Sequence, residues 1–313
     1  MIFSVPLIIL VSLLISGSNT YDFSVKECKN LARQQSPINI VSSSSIYLDE
    51  KYFRFLSNNY NPLTTDYEWT YYEEEKAVGI GLSSTANSTV PGMGNFIFVK
   101  DWAMYSFNLQ KILFRVNSEH RIDGQNFDVE MQLVHTYEPN YYAPGRKIDL
   151  EQDYLVISVF FKRTPDENPA ASKLFEFADL RGFFNGTTTR MSRNIKLHYI
   201  IQHQPSYLYT GSLTFPECQD AIWLLFSQYH LISETDYSRL LKVIQKRTTI
   251  VDPLSLLNTR ILFPSLPSTQ VYRNWNELSM LSPKPTLMAY NSASYVHINY
   301  LIFISLFLLF LMI

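Results

Sequence analysis

SEHRIDGQNFDVEMQLVH, residues 118–135, opens on a Ser-Glu-His triplet and closes on an alternating run that carries Glu130, Gln132 and His135. Alternation of apolar and polar residues is the period of a β-strand, whose successive side chains point to opposite faces. Residues 127–135 therefore read as a strand with Glu130 and Gln132 on one face. Gln132 puts a neutral amide between Glu130 and Val134 on that face. An amide oxygen suits hard cations and is a weak donor to zinc.

Residues 95–99, 111–116 and 154–161 alternate in the same way and read as strands. Residues 199–201 read as the centre of another strand, and 221–226 as one more. Helical patterns cover only residues 169–177 and 234–246. The chain has 313 residues, 15% aromatics and only 10 glycines, which suits one large β-rich domain with a substantial core. No repeat or Gly/Ser-rich linker divides it. One mainly β domain over residues 21–280 is the economical reading, against a pair of β-sandwiches with no visible boundary. A net charge of -2 gives no reason to expect nucleic acid as a partner.

Both ends read as targeting segments. Residues 1–18 are apolar and then small, the pattern of a secretory signal peptide. Residues 300–313 form an apolar tail, and residues 281–299 a polar spacer in which Asn291 heads a run of small residues. That is the arrangement of a GPI-attachment signal, with a spanning tail as the alternative. An exported chain gives meaning to the sequons at Asn87 and Asn185. Its two cysteines, in an oxidising compartment, point to one disulfide joining distant parts of the chain, with free thiols as the alternative.

Five motifs in order resemble the α-class carbonic anhydrases. They are QSPINI at residues 35–40, SEH at 118–120, EMQLVH at 130–135, YTGSLTFP at 209–216 and LNTR at 257–260. The resemblance implies a central twisted, mostly antiparallel sheet of about ten strands with short peripheral helices, and a cleft reaching its centre. It also implies a Cys28–Cys218 disulfide. Family members hydrate carbon dioxide with a hydroxide on zinc, which three neutral imidazoles hold with one position left open. Carried onto this chain, the ligand positions fall on Leu113, Arg115 and Gln132.

None of the three replaces an imidazole. Leu113 has no donor atom, Arg115 is permanently cationic, and Gln132 offers only its amide oxygen. No shift of register restores the set, because the first histidine in the chain is His120. His120 and His135 match family positions that are not ligands. The residues that surround the metal in the family are partly kept. Thr214 matches the threonine that orients the hydroxide, Glu119 the carboxylate that accepts its proton, and Glu130 the carboxylate that supports a ligand histidine. Val134 and Leu213 match the apolar wall, while Phe215 replaces a threonine and narrows the mouth. Losing a dication leaves buried carboxylates that must find another positive charge. Arg115 is expected to supply it, bridging to Glu119 or Glu130.

The resemblance therefore implies a cell-surface carbonic-anhydrase-related protein without catalytic residues, zinc or another cofactor. It is expected to act as a binding or adhesion module for an extracellular protein or glycan and to meet the membrane through its C-terminal anchor. Two alternatives are a working zinc enzyme with replacement ligands and a small-anion binder in the vacated cleft. Residues 46–108 look irregular beside the family. Within them, residues 66–94 are a candidate contact segment, with the Tyr71-Tyr72-Glu73-Glu74-Glu75 patch at their centre.

Overall fold

Alternation becomes strand wherever both faces of the chain have something apolar to meet. The computed structural model describes residues 34–49, 53–60, 67–72, 74–75, 77–82, 92–100, 103–138, 153–167, 189–190, 197, 200–201, 204–216, 218–247, 260 and 262–274. These residues form β1 (Asn39–Ile40), β2 (Ile46–Tyr47), β3 (Phe53–Tyr60), β4 (Tyr67–Tyr72), β5 (Ala77–Leu82), β6 (Gly94–Lys100) and β7 (Ala103–Val116). They continue with β8 (Arg121–Ile122), β9 (Val129–Tyr137), β10 (Tyr154–Thr164), β11 (Thr189–Arg190), β12 (Ser206–Ser212) and β13 (Asp220–Ser233). Helix α1 (Glu234–Arg247) and β14 (Tyr272–Arg273) complete the set.

Twelve strands make one sheet in the order β11-β4-β5-β7-β9-β10-β13-β12-β14-β2, with β6 on β7 and β3 on β6. The pairs β10–β13 and β14–β2 are parallel and the others antiparallel. A mainly β fold on a mostly antiparallel sheet is thus what the chain adopts. The sheet has twelve strands, in keeping with the expected count of about ten. Three of them, β2, β11 and β14, have two residues each and are too short to show a period. Strand β7 is 14 residues long and divides one edge between two partners. Its residues 103–108 pair with β6 and its residues 112–114 with β5.

Both faces of the sheet are buried, and period two sorts the residues between them. Ile112, Phe114, Met131, Leu133, Leu155, Ile157, Val159, Ile222 and Leu224 belong to one core. Helix α1 packs there through Leu240, Val243 and Ile244. Ser233 caps the helix by accepting the Asp236 amide at 3.1 Å, and its hydroxyl donates back to Asp236 Oδ2 at 2.9 Å. Leu113, Val134, Val156, Phe160, Ala221, Trp223 and Leu225 belong to the second core on the opposite face. Arg115, Glu130, Gln132 and Ser158 sit at positions of that second face, among its apolar residues.

Two glycines in β5 let Tyr72 lie across that strand. A Cβ at Gly81 would meet Tyr72 Oη at 2.2 Å, and one at Gly79 would meet the Ile112 carbonyl oxygen at 2.2 Å. This packing fixes the turn that leads out of β4, and with it Glu75.

The described residues within 46–108 supply β2 to β6 and the start of β7. Those within 66–94 carry β4 and β5, with Trp69, Val78 and Ile80 in the first core, while residues 83–91 lie outside the described residues. Ile200 and Ile201, from the run 199–201 expected to centre a strand, lie in a turn, and residue 199 lies outside the described residues. The amides of Ile200 and Ile201 both return to the Leu197 carbonyl at 2.9 Å, so a turn buries these side chains in the first core. Helix α1 matches the pattern at 234–246, whereas residues 169–177 lie outside the described residues.

Candidate functional site

The centre of the second face is a polar cluster closed off from solvent. Register places Leu113 opposite Gln132 and Arg115 opposite Glu130 across β7 and β9. Directly opposed residues of an antiparallel pair share a face. Leu113, Arg115 and Gln132, expected on one locus from the sequence, are therefore brought together.

Gln132 connects the cluster. Its Nε2 donates to Glu119 Oε2 at 2.7 Å and to Glu130 Oε1 at 3.2 Å. Its Oε1 accepts from Arg115 Nε at 3.4 Å. Arg115 Nε lies 3.5 Å from Glu119 Oε2, and Arg115 Nη1 donates to the Glu75 carbonyl at 2.7 Å. Arg115 is 1% exposed, so the expected bridge is made to Glu119, with Gln132 standing between Arg115 and Glu130. Glu119 Oε1 accepts the Arg260 amide at 2.9 Å.

Glu130 is the better supplied carboxylate. It accepts the His120 amide at 2.9 Å, His120 Nδ1 at 2.9 Å and the Ser158 hydroxyl at 2.6 Å. A carboxylate only accepts, so Nδ1 carries the proton in that bond. The Tyr209 hydroxyl joins His120 Nε2 at 2.7 Å to Ser36 Oγ at 2.8 Å. Burial alone pushes the Glu130 carboxyl up. The His120 ring, the Ser158 hydroxyl and the His120 amide outweigh burial and hold its pKa down to about 2.

Glu119 and Glu130 are both drawn into this cluster, through Gln132. Thr214 is buried beside the apolar residues Leu213 and Phe215, but its hydroxyl makes no hydrogen bond among the described residues. The two oxygens of Glu119 are already engaged by Gln132 and by the Arg260 amide. Val134 and Leu213 are buried in the second core, as an apolar wall requires. Among the described residues no cysteine is free, and Cys218 is buried in the second core. Cys28, Asn87, Asn185 and Asn291 lie outside the described residues.

Phe215, expected from the resemblance at the mouth of the cleft, is packed over by a lysine. Phe215 is 6% exposed, and Lys111 Nζ lies 4.9 Å over its ring and 5.3 Å over that of Tyr72. Lys111 pairs with the Glu75 carboxylate. Three members of the cluster carried no assigned role in the sequence. Ser158 is a lone hydroxyl in the apolar run YLVISVFF of β10, and that contrast was a usable signal. Arg260 closes LNTR, and its guanidinium donates to the Ser36 carbonyl at 2.9 Å. Glu75 acts through its backbone carbonyl, which no residue type announces.

His135 serves the other face. It is buried against Tyr60, whose hydroxyl meets Nε2 at 2.9 Å, and Nδ1 meets the Leu155 carbonyl at 3.1 Å. Burial lowers its pKa from 6.5 to about 4 against the pull of two backbone carbonyls. The folded state therefore favours the neutral ring. Stability from this group is complete above pH 6.5 and is lost as pH falls through the window down to about 4. The shift corresponds to about 3 kcal/mol. Urea unfolding between pH 7.5 and 4.5 should show this loss, and His135→Gln should flatten it. An equal slope in both proteins would contradict the assignment.

Zinc can be tested against these groups. A guanidinium has no lone pair to give, an aliphatic chain has no donor, and the Gln132 oxygen faces Arg115. The residues at the three positions do not fit the ion. Among the described residues no three His, Cys, Asp or Glu side chains converge to hold a metal.

Residues 16–265 match the family described as eukaryotic-type carbonic anhydrase. Human carbonic anhydrase 7 (Homo sapiens) is 27% identical over 206 residues, 64% of this chain and 74% of the relative. Rat carbonic anhydrase 4 (Rattus norvegicus) is 26% identical over 277 residues, 84% of this chain and 82% of the relative. Among solved structures, a halotolerant carbonic anhydrase from Dunaliella salina superposes with a TM-score of 0.58 at 18% identity. That match covers 79% of this chain and 89% of the algal one.

Proposed function

The chain belongs to the eukaryotic-type carbonic anhydrase family, and from that premise we propose that it is a cell-surface member that binds a partner instead of hydrating carbon dioxide. One observation carries this reading. A buried guanidinium, paired to Glu119, stands at a position that the resemblance implies for a ligand. Any dication placed there would meet that fixed positive charge at close range.

A zinc enzyme with replacement ligands is the reading this opposes. It would need three new donors around a locus whose carboxylates already accept from Gln132, His120, Ser158 and Arg260. A small-anion site in the cleft is disfavoured by its filling, since Leu113, Arg115 and Phe215 are all buried there. Binding is assigned to the outer surface for that reason. An extracellular protein is the favoured partner, because residues 190–196 and 242–247 are too modest in charge for a sulfated glycan.

Placement at the cell surface rests on the signal peptide at residues 1–18, the sequons at Asn87 and Asn185, and the tail at 300–313 with Asn291 as the GPI site. A Cys28–Cys218 disulfide belongs to the same proposal. No helix among the described residues is long and apolar enough to cross a membrane.

The test uses the chain expressed through a secretory pathway. Metal analysis should find no stoichiometric zinc, and carbon dioxide hydration should stay at background. Hydration above background that a chelator abolishes would overturn the proposal. Capture of cell-surface proteins on the same chain would then identify the partner.

A further inference from the structure

We infer that the Arg115 guanidinium is this chain's built-in substitute for a metal cation, and that Gln132 is the matching substitute for a ligand imidazole. The inference rests on the reading above that Leu113, Arg115 and Gln132 stand at the ligand positions.

A metal in this fold would have two tasks at the sheet centre. It would neutralise buried carboxylate charge, and it would tie together strands that each supply a donor. Arg115 performs both. Its guanidinium reaches three acceptors on three different elements: Gln132 Oε1 of β9 at 3.4 Å, Glu119 Oε2 beyond the end of β7 at 3.5 Å, and the Glu75 carbonyl after β4 at 2.7 Å. Glu119 itself is 3% exposed, and a buried carboxylate without a cation is costly.

Gln132 explains how an imidazole could be exchanged without rebuilding the surroundings. A ligand imidazole is two-ended, with a lone pair toward the metal and an N–H toward a supporting carboxylate. The carboxamide keeps that polarity. Its oxygen faces the cation, and its Nε2 donates to Glu119 at 2.7 Å and Glu130 at 3.2 Å. Reversing the amide would set NH₂ against a guanidinium and oxygen against two carboxylates, so the orientation is dictated by charge. The difference from a metal is covalency. Zinc can be stripped from a protein by a chelator, whereas this cation is part of the chain.

The test is a charge-removal cycle on the full chain, read as urea midpoints in the presence and absence of zinc. Arg115→Met and Glu119→Gln should each lower the midpoint. The variant carrying both should lose clearly less than the sum, recovering about half of the Arg115→Met loss, since each single change strands the other group. Zinc should move none of these midpoints. Additive losses without a zinc response would overturn the substitution alone, reducing Arg115 to a space filler. A zinc-dependent rise in the unsubstituted chain would instead overturn the proposed metal-free function. Should Arg115→Met fail to fold, the double variant decides: it folds if Arg115 supplies charge, and it fails if Arg115 supplies only volume.

Discussion

A chain carrying Leu113→His, Arg115→His and Gln132→His together should take up about one zinc ion per molecule, where the proposed function expects none in the natural sequence. Leu113 and Arg115 are two apart on β7, so both project to one face. Gln132 is the partner of Leu113 in register on β9, which sets the third imidazole on the same face. Glu130 and Glu119 remain to receive imidazole N–H groups, as Gln132 Nε2 shows they can. The change also removes the guanidinium whose charge opposes a dication. Three imidazoles in this arrangement should hold zinc with a Kd of about a micromolar or tighter, which is about 8 kcal/mol. Equilibrium dialysis with metal analysis measures it. A folded triple variant with no zinc would show that these positions do not share one metal-sized locus.

Glu130→Ala is expected to cost about 3–5 kcal/mol in urea unfolding, the range for breaking a buried charged pair by removing one partner. Three donors lose their acceptor at once, the His120 amide, His120 Nδ1 and the Ser158 hydroxyl, while Gln132 Nε2 keeps only its bond to Glu119. Glu130→Gln keeps the shape but adds an NH₂ among donors, and falls between. Because the folded carboxyl is held at about 2 against an ordinary 4.5, its contribution is complete above pH 4.5 and is lost as pH falls toward 2. The acid limb of the stability profile should therefore be shallower in Glu130→Gln. A loss under about 1 kcal/mol in Glu130→Ala would mean that the donors find water without penalty.

How much of this was readable in advance varies with what each residue faces. β9 and β10 were legible because large aliphatic residues alternate with small or polar ones. Their central positions, Gln132 and Ser158, are polar inside a core. β4 was not legible. In YEWTYY, Glu68 and Trp69 are both buried, so the contrast that marks one wet face is missing. Ile200 and Ile201 misled for the opposite reason, since a short apolar run is as compatible with a buried turn as with a strand. At the site, the loss of ligands was plain from residue types alone. The role of Glu75 was not: an acidic run reads as solvated surface, and here its carboxylate meets Lys111 while its carbonyl meets Arg115. Thr214 carries a role by motif alone: among the described residues its buried hydroxyl makes no hydrogen bond.

The clasp between the two ends of the domain has a consequence for biosynthesis. Gln35 and Ser36 are among the first described residues to leave the ribosome, yet Arg260, 224 positions after Ser36, is what closes on them. The Arg260 amide also supplies one of the bonds to Glu119. A nascent chain halted anywhere before that arginine would hold finished central strands around an incomplete polar heart. Cellular quality control would then have one late event to monitor, and a premature stop upstream of residue 260 should yield a chain that is degraded and not a shorter stable one.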